Sequence, residues 1–413
     1  MRLQLTKSER EWVLYDVGNS AFVLLVCTLL PIYFNSLADS AGLSSVEYLA
    51  YWGYASSAAT LLVALSGPVF GTIADTKGMK RPIFAASILL GAVGCLCLGL
   101  TRQWLVFLVI FVVAKVGYAV SLVFYDSMLI DVTEENRMDM VSAQGYAWGY
   151  IGSCIPFVLC LGIVLGAETI GISMTAAMTA AFAITALWWL ASSLPMIKNY
   201  RQKHYVERRP HAVAASFSRL WHTLRGLRQE KKVLLFLLAF FFYIDGVYTI
   251  IDMATAYGSA LGLDTTGLLL ALLVTQIVAC PFSMLFGRLA KHIASDRLIT
   301  VCICAYMGIA VFAMFLHTQV QFWILAVCVG MFQGGVQALS RSYFAKIIPN
   351  EKSGEYFGLL DICGKGAAFM GTGVVSLVSQ MTGSINLGVG AIVVLFLIGI
   401  VLFRKAAACG TEK

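Results

Sequence analysis

Apolar runs of about eighteen residues or more recur along the whole of this chain, and each is long enough to cross a bilayer as a helix. Twelve can be counted, at residues 12–34, 49–73, 82–100, 104–130, 143–166, 174–194, 233–256, 266–286, 298–316, 322–344, 355–380 and 387–403. No long stretch is left between them for a soluble domain. Of the 413 residues, 59% are apolar and only 12% charged, against roughly 25% charged in an ordinary soluble domain. The expected class is an all-α membrane protein with twelve transmembrane helices.

The formal charge of +7 would suit an acidic partner such as nucleic acid, but its placement points elsewhere. Arg2, Lys7 and Arg10 precede the first span, and Lys77, Lys80, Arg81, Arg137, Arg288, Lys291, Arg297, Lys346 and Lys352 fall in even-numbered connections. The odd-numbered connections offer only Arg102. The positive-inside rule therefore puts both termini in the cytoplasm, and an even number of spans puts them on one side independently. Glu9 and Glu11 stand before an apolar run too long for a signal peptide, so the start reads as a first span. The expectation is a multi-pass, monomeric protein of the cell (inner) membrane with no nucleic-acid partner.

Eleven cysteines lie mostly within spans, without a CxxC pair or a Cys/His cluster, and all five histidines fall in loops. Packing accounts for such cysteines better than disulfides do, and no metal centre or other cofactor is expected.

A carboxylate in hydrocarbon costs roughly 2.5–3.5 kcal/mol even on lenient insertion scales, so a charge within a span marks protein interior or a watery cavity. Asp16, Lys115, Asp126, Asp245, Asp252, Arg341, Asp361 and Lys365 are such charges, and they occupy spans 1, 4, 7, 10 and 11. Asp245 and Asp252 are seven residues apart and share a helical face, as Lys115 and Asp126 do at eleven. Asp16 lies near a helix start, where the macrodipole alone favours a carboxylate. Asp361 and Lys365 can neutralise each other along one helix. Gly358 to Lys365 resembles a phosphate loop only superficially: the glycine spacing is too long, Gly366 replaces the Ser/Thr, and no strand precedes it. Asp131 opens a connection and reads as solvated. Gly145, Gly149, Gly152 and Ser153 give span 5 a small-residue face for close packing.

One connection is long, 197–232, and it is basic. Phe217, Leu220, Trp221, Leu224 and Leu227 recur there at three- and four-residue spacing among Arg219, Arg225 and Arg228. That is the pattern of an amphipathic helix lying on anionic lipid. The linker separates an N-terminal half, 1–196, from a C-terminal half, 233–413.

The loop after span 2 holds Gly71, Asp75, Gly78, Lys80 and Arg81 in the spacing G-x3-D-x2-G-x-[KR]-[KR]. It resembles the signature loop of the major facilitator superfamily. The loop after span 8 keeps Gly287 but has Lys291 where the Asp would stand, as in a decayed copy within a second six-helix repeat. The blocks YDVGNSAF, FYIDGVYTI, GGVQALSRSYF and EYFGLLDICGKG resemble the vacuole-effluxer branch of that superfamily, the autophagy-related amino-acid effluxers and their bacterial relatives. The resemblance implies two six-helix pseudo-repeats, with helices 1, 4, 7 and 10 lining a central cavity and 3, 6, 9 and 12 facing lipid. It also implies export of small solutes.

The expected function is secondary active transport of a small polar or zwitterionic solute, amino acids in the first place, by two halves rocking about a central site. Asp245 and Lys115 would face each other across the cavity and hold a zwitterion, with Asn19, Tyr243, Tyr248 and Gln337 supplying neutral hydrogen bonds. Otherwise those two charges only neutralise each other and the solute is neutral. Asp126 and Arg341 would form an inner gate, Asp252 an outer one, and Asp361 and Lys365 would join the gating set with the Gly71–Arg81 loop residues. Five buried acids against three bases leave two carboxylates unmatched, so proton linkage is expected through Asp245 or Asp16. A multidrug or lipid exporter is the rival reading, since Trp148 and the aromatics at 240–242 could line an apolar pocket. A non-transporting membrane sensor is a further alternative. An enzyme is not expected, because neither HExxH nor G-x-S-x-G occurs.

Overall fold

The computed structural model describes residues 4–207, 221, 223 and 225–409. Twelve long helices dominate it. In the first half they are α1 (Lys7–Ser40), α2 (Ser45–Ala74), α3 (Lys80–Leu98), α4 (Trp104–Ser127), α5 (Met138–Leu165) and α6 (Met174–Asn199). In the second they are α7 (Lys231–Ala260), α8 (Thr265–Leu289), α9 (Ser295–Ala313), α10 (Gln319–Ile347), α11 (Ser353–Thr382) and α12 (Ile392–Ala408). By length and composition the described residues contain 11 candidate membrane spans, and α11, at 30 residues, is long enough to be the twelfth. Several helices overrun their apolar core because polar caps extend them. Thr6 with Glu9, Ser44 with Glu47 and Thr318 with Gln321 form capping boxes at the starts of α1, α2 and α10.

The two halves pack by one scheme. In the first, α1 lies against α5 and α6, α4 against α2 and α3, and α3 against α6. In the second, α7 lies against α11 and α12, α10 against α8 and α9, and α9 against α12. Adding six to each label of the first set gives the second. The contacts between halves obey the same symmetry, α2 meeting α11 as α8 meets α5.

Glycine lets those cross-half helices approach. A Cβ on Gly71 would come within 2.2 Å of the Gly354 carbonyl oxygen, and one on Gly287 within 2.6 Å of Ala143. The loop glycine kept in the decayed copy thus does the same packing work as its counterpart. Within the first half, Gly145, Gly149 and Gly152 of α5 receive Trp12, Ser20 and Val17 of α1, as a small-residue face should. Hydrogen bonds join the halves at mid-depth, where Tyr150 donates to Gln337, and at the face where α1 begins and α12 ends, where Asp75 meets α11. We call this the terminal face.

Asp131 is not solvated. It is buried beside the start of the linker and accepts hydrogen bonds from the Tyr200 hydroxyl, the Lys203 and His204 backbone amides (3.1 and 3.0 Å) and the His204 ring (3.0 Å). Val206 continues that clamp by bridging to Thr76 in the α2–α3 loop. Of the linker stripe, Phe217, Arg219, Leu220 and Leu224 lie outside the described residues. Trp221 is exposed, with the Arg225 guanidinium 5.0 Å above its ring, and Leu227 is buried.

Candidate functional site

A cavity of about 380 Å³ lies between the halves. Asp16, Asn19 and Ser20 reach it from α1, Asp126 from α4, Tyr248 and Asp252 from α7. Gln333, Gln337 and Arg341 of α10 and Asp361 of α11 reach it as well. Among its described residues, four carboxylates share the cavity with one guanidinium.

Arg341 organises the floor. It donates to Asp126 at 3.0 Å, stands 3.9 Å from Asp16, and is fixed from behind by the Ser142 hydroxyl (2.9 Å) and carbonyl (3.0 Å). The rings of Trp12, Tyr125 and Tyr146 surround it at 4.6, 5.2 and 4.4 Å. Such faces attract a cation. The rest of the floor is wired in turn: Asn19 donates to Asp16 at 3.2 Å and Tyr150 to Gln337 at 2.7 Å. Asp16 Oδ2 and Gln333 Oε1 are buried without a hydrogen-bond partner.

Three residues do not take the places expected of them. Asp245 does not reach the cavity. It is fully buried against α11, accepting from the Gly371 amide at 2.9 Å and from Thr249 at 3.3 Å. Tyr243 is buried too, bonded to Ser340 at 2.7 Å. Lys115 lies beyond the cavity lining, half-buried over the Phe111 ring at 5.6 Å, and its charge reaches Asp252. The Lys365 side chain lies outside the described residues. A seven-residue spacing sets the face of a helix but not which neighbour covers it, and at Asp245 a glycine of α11 does.

The cavity is closed at the terminal face by two locks. In the first, Asp75 accepts from the Gly354 and Glu355 amides at 2.8 and 2.9 Å. These are the free donors at the start of α11, where the helix macrodipole favours an anion. Lys80, fully buried, lies 3.5 Å from Asp75 and 3.9 Å from Asp131, and donates to Ser353 at 2.8 Å. Gly78 supplies the turn at φ 76° and its amide donates to Gln202 at 3.0 Å. Arg81 is exposed. In the second lock Asp139, at the start of α5, accepts from Ser342 (2.6 Å), Ser295 (2.8 Å) and Lys346. Sequence reading passed over Asp139 and Ser142 because they sit in an acidic connection and a small-residue helix. The signal was pseudo-symmetry, since the start of α5 is the counterpart of the start of α11.

The two acids beside Lys80 titrate in opposite directions. Burial pushes Asp75 up to about 6, against the pull of Lys80 and the α11 amides. Burial acts on Asp131 as well, but His204, Lys80 and Tyr200 outweigh it and hold that carboxyl below its ordinary range. An acid raised in the folded state binds its proton more tightly there, so its contribution falls as pH rises from about 4 to about 6. Asp131 has the opposite sign, and its contribution is lost only on strong acidification. In detergent, the thermal midpoint of Asp75→Asn should therefore decline less than that of the natural protein between those two pH values. Parallel curves would remove Asp75 as the titrating group.

Two pseudo-repeated six-helix halves, enclosing a charged cavity sealed at one face by a glycine–aspartate–lysine lock, define a transporter of the major facilitator type. The solved structures agree on the fold. The human organic anion transporter MFSD10 aligns over 97% of this chain and 100% of its own with a TM-score of 0.74 at 14% identity. The transporter FucP in its outward conformation aligns over 97% and 98% with a TM-score of 0.72 at 13% identity. The chain belongs to the Atg22-like vacuole effluxer family, whose model matches residues 6–407. It is 44% identical over 407 residues to the uncharacterized MFS-type transporter YxiO of Bacillus subtilis, covering 97% of this chain and 95% of that one. It is 24% identical over 300 residues to autophagy-related protein 22 of Coccidioides immitis, covering 66% of this chain and 49% of that protein. The chain thus spans about half the length of this fungal relative.

Proposed function

We propose that this transporter exports or exchanges a small zwitterionic solute, an amino acid, by alternating access, and that a proton is the linked ion. The observation that carries the reading is Arg341 held between Asp126 and Asp16 on the cavity floor. An incoming carboxylate competes for the guanidinium, whose planar fork suits it. The solute's ammonium takes the carboxylates so released, with Asn19, Gln337 and Tyr248 in reach of its remaining polar atoms. Arg341 therefore takes the role first expected of Lys115.

Proton linkage follows from the charge count. On the floor Asp16 and Asp126 share one guanidinium; two carboxylates so close repel each other in a site poor in water, and a proton relieves that repulsion when no substrate cation is present. Asp16, buried with one oxygen unbonded, is the group we assign. With both termini in the cytoplasm, the two locks close the cytoplasmic side and the cavity faces out. Anionic lipid would hold the basic linker to the inner leaflet. The family's description as a vacuole effluxer fits export but leaves the solute open.

Counterflow of labelled amino acids into proteoliposomes, with and without a pH gradient, tests the reading. Flux that saturates and accelerates with the gradient supports it, whereas flux only of apolar amphiphiles would favour the exporter suggested by the aromatic walls. Asp245→Asn is expected to keep counterflow within about threefold of the natural rate, with an unshifted pH profile, because a group away from the solute contributes little beyond local stability. A lost pH response would return the proton to Asp245.

A further inference from the structure

The rim of the cavity holds a second pair of charges that the floor does not use. Asp252 lines the cavity on α7, one turn nearer the outer end than Tyr248. Lys115 precedes Tyr118, Leu122 and Asp126 on α4, all of which line the cavity. Their separations of three, seven and eleven residues put it on the same helical face, one turn further out. Cys27 follows the cavity residues Val23 and Leu24 on α1 and is exposed. The charges of Lys115 and Asp252 both reach Cys27, and that of Lys115 reaches Asp252. Three helices thus bring an ammonium, a carboxylate and a thiol to one rim. The ammonium belongs to the first half and the carboxylate to the second.

The geometry points to Lys115 and Asp252 as the outer gate: they close on each other across the mouth when the cavity turns to the terminal face, in the movement that parts Arg341 from Asp126. This rests on rocking of the two halves and not on which solute is carried. With the mouth open, water weakens the attraction between the two rims. Closure expels that water, and the same charges then interact more strongly. One cross-half ion pair forms as another breaks, so neither end state is left with a stranded charge at the interface.

Cys27 reports the state of the mouth without any substrate. In detergent-purified protein that keeps Cys27 and has the other ten cysteines replaced by alanine, the rate of maleimide labelling measures how often the mouth is open. Lys115→Asp and Asp252→Lys should each raise that rate roughly two- to fivefold, the range a partly exposed ion pair supplies. The double reversal should bring it back. A Lys115→Cys, Asp252→Cys pair, in a background that lacks Cys27 as well, should crosslink on mild oxidation. Unchanged labelling in both single variants, or a double variant no slower than the singles, overturns the gate. If a reversal fails to give a monodisperse protein, Lys115→Gln and Asp252→Asn carry the same comparison. A failed gate with normal counterflow would leave the proposed solute untouched, and the reverse result would leave the gate standing.

Discussion

Arg341→Ala should abolish counterflow and destabilise the protein by about 3–5 kcal/mol, the cost of removing one partner from a buried ion cluster. The size follows from what the change strands. Asp126 loses a 3.0 Å partner, Asp16 loses the cation 3.9 Å from its unbonded oxygen, and the Ser142 hydroxyl loses the guanidinium it bonds. The cage of Trp12, Tyr125 and Tyr146 is left facing a void. Arg341→Lys separates stability from function. Its point charge still neutralises the floor but cannot bond Asp126 and Ser142 together while lying flat among three rings. It should recover most of the thermal midpoint and little of the flux. The reversal Asp126→Arg with Arg341→Asp should regain part of what either single change loses, because paired residues in contact couple by about 0.5–3 kcal/mol. Normal flux in Arg341→Lys would show that the guanidinium only neutralises. A double variant no better than the singles would remove Asp126 as its gating partner.

That cluster also shows where sequence was informative and where it stopped. The helix count was legible because hydrocarbon imposes a minimum length on every span, and a run of apolar residues reports that length directly. The repeat was legible through one glycine, Gly287, whose packing on Ala143 mirrors that of Gly71 on Gly354. Asp126 and Arg341 were legible as partners because charges at matching depth in opposite halves have few other options. Asp245 was not, since nothing in its own segment announces that Gly371 of α11 covers it, and Thr249, one turn further along α7, is an ordinary helical neighbour. Lys115 was drawn to the wrong carboxylate for the same reason: helical spacing places a charge on a face, and the third dimension chooses among the charges it can meet. Asp131 and Asp139 were hidden by their setting. Each lies in or beside a polar connection, where a carboxylate ordinarily needs no partner, and each is instead buried by a segment distant in sequence, the linker start for one and α10 for the other.

Lys80→Met should open the transporter at the terminal face. Lys80 is fully buried, and in that position an ammonium survives only because Asp75, Asp131 and Ser353 surround it at 3.5, 3.9 and 2.8 Å. Methionine matches its length and apolar stem but leaves two buried carboxylates uncompensated, beside Glu355, whose own two carboxylate oxygens have no hydrogen-bond partner. Breaking a buried pair in this way costs about 3–5 kcal/mol. Asp131 can still lean on His204, Tyr200 and the linker amides, so the loss concentrates on Asp75 and its grip on α11. Since α11 belongs to the other half, the cheapest relief is for the halves to part there, which wets Asp75 and Glu355 together. A cysteine at Ser353, buried in the closed lock, should then be labelled by maleimide at least about tenfold faster, the ratio that 1.4 kcal/mol of the lost stabilisation supplies. Lys80→Met combined with Asp75→Asn removes the stranded charge and keeps one acceptor for the α11 amides, so it should slow labelling again. Protection of that cysteine in Lys80→Met, with the thermal midpoint unchanged, would mean that the glycine contacts of α2 and α11 hold the face shut without the charges.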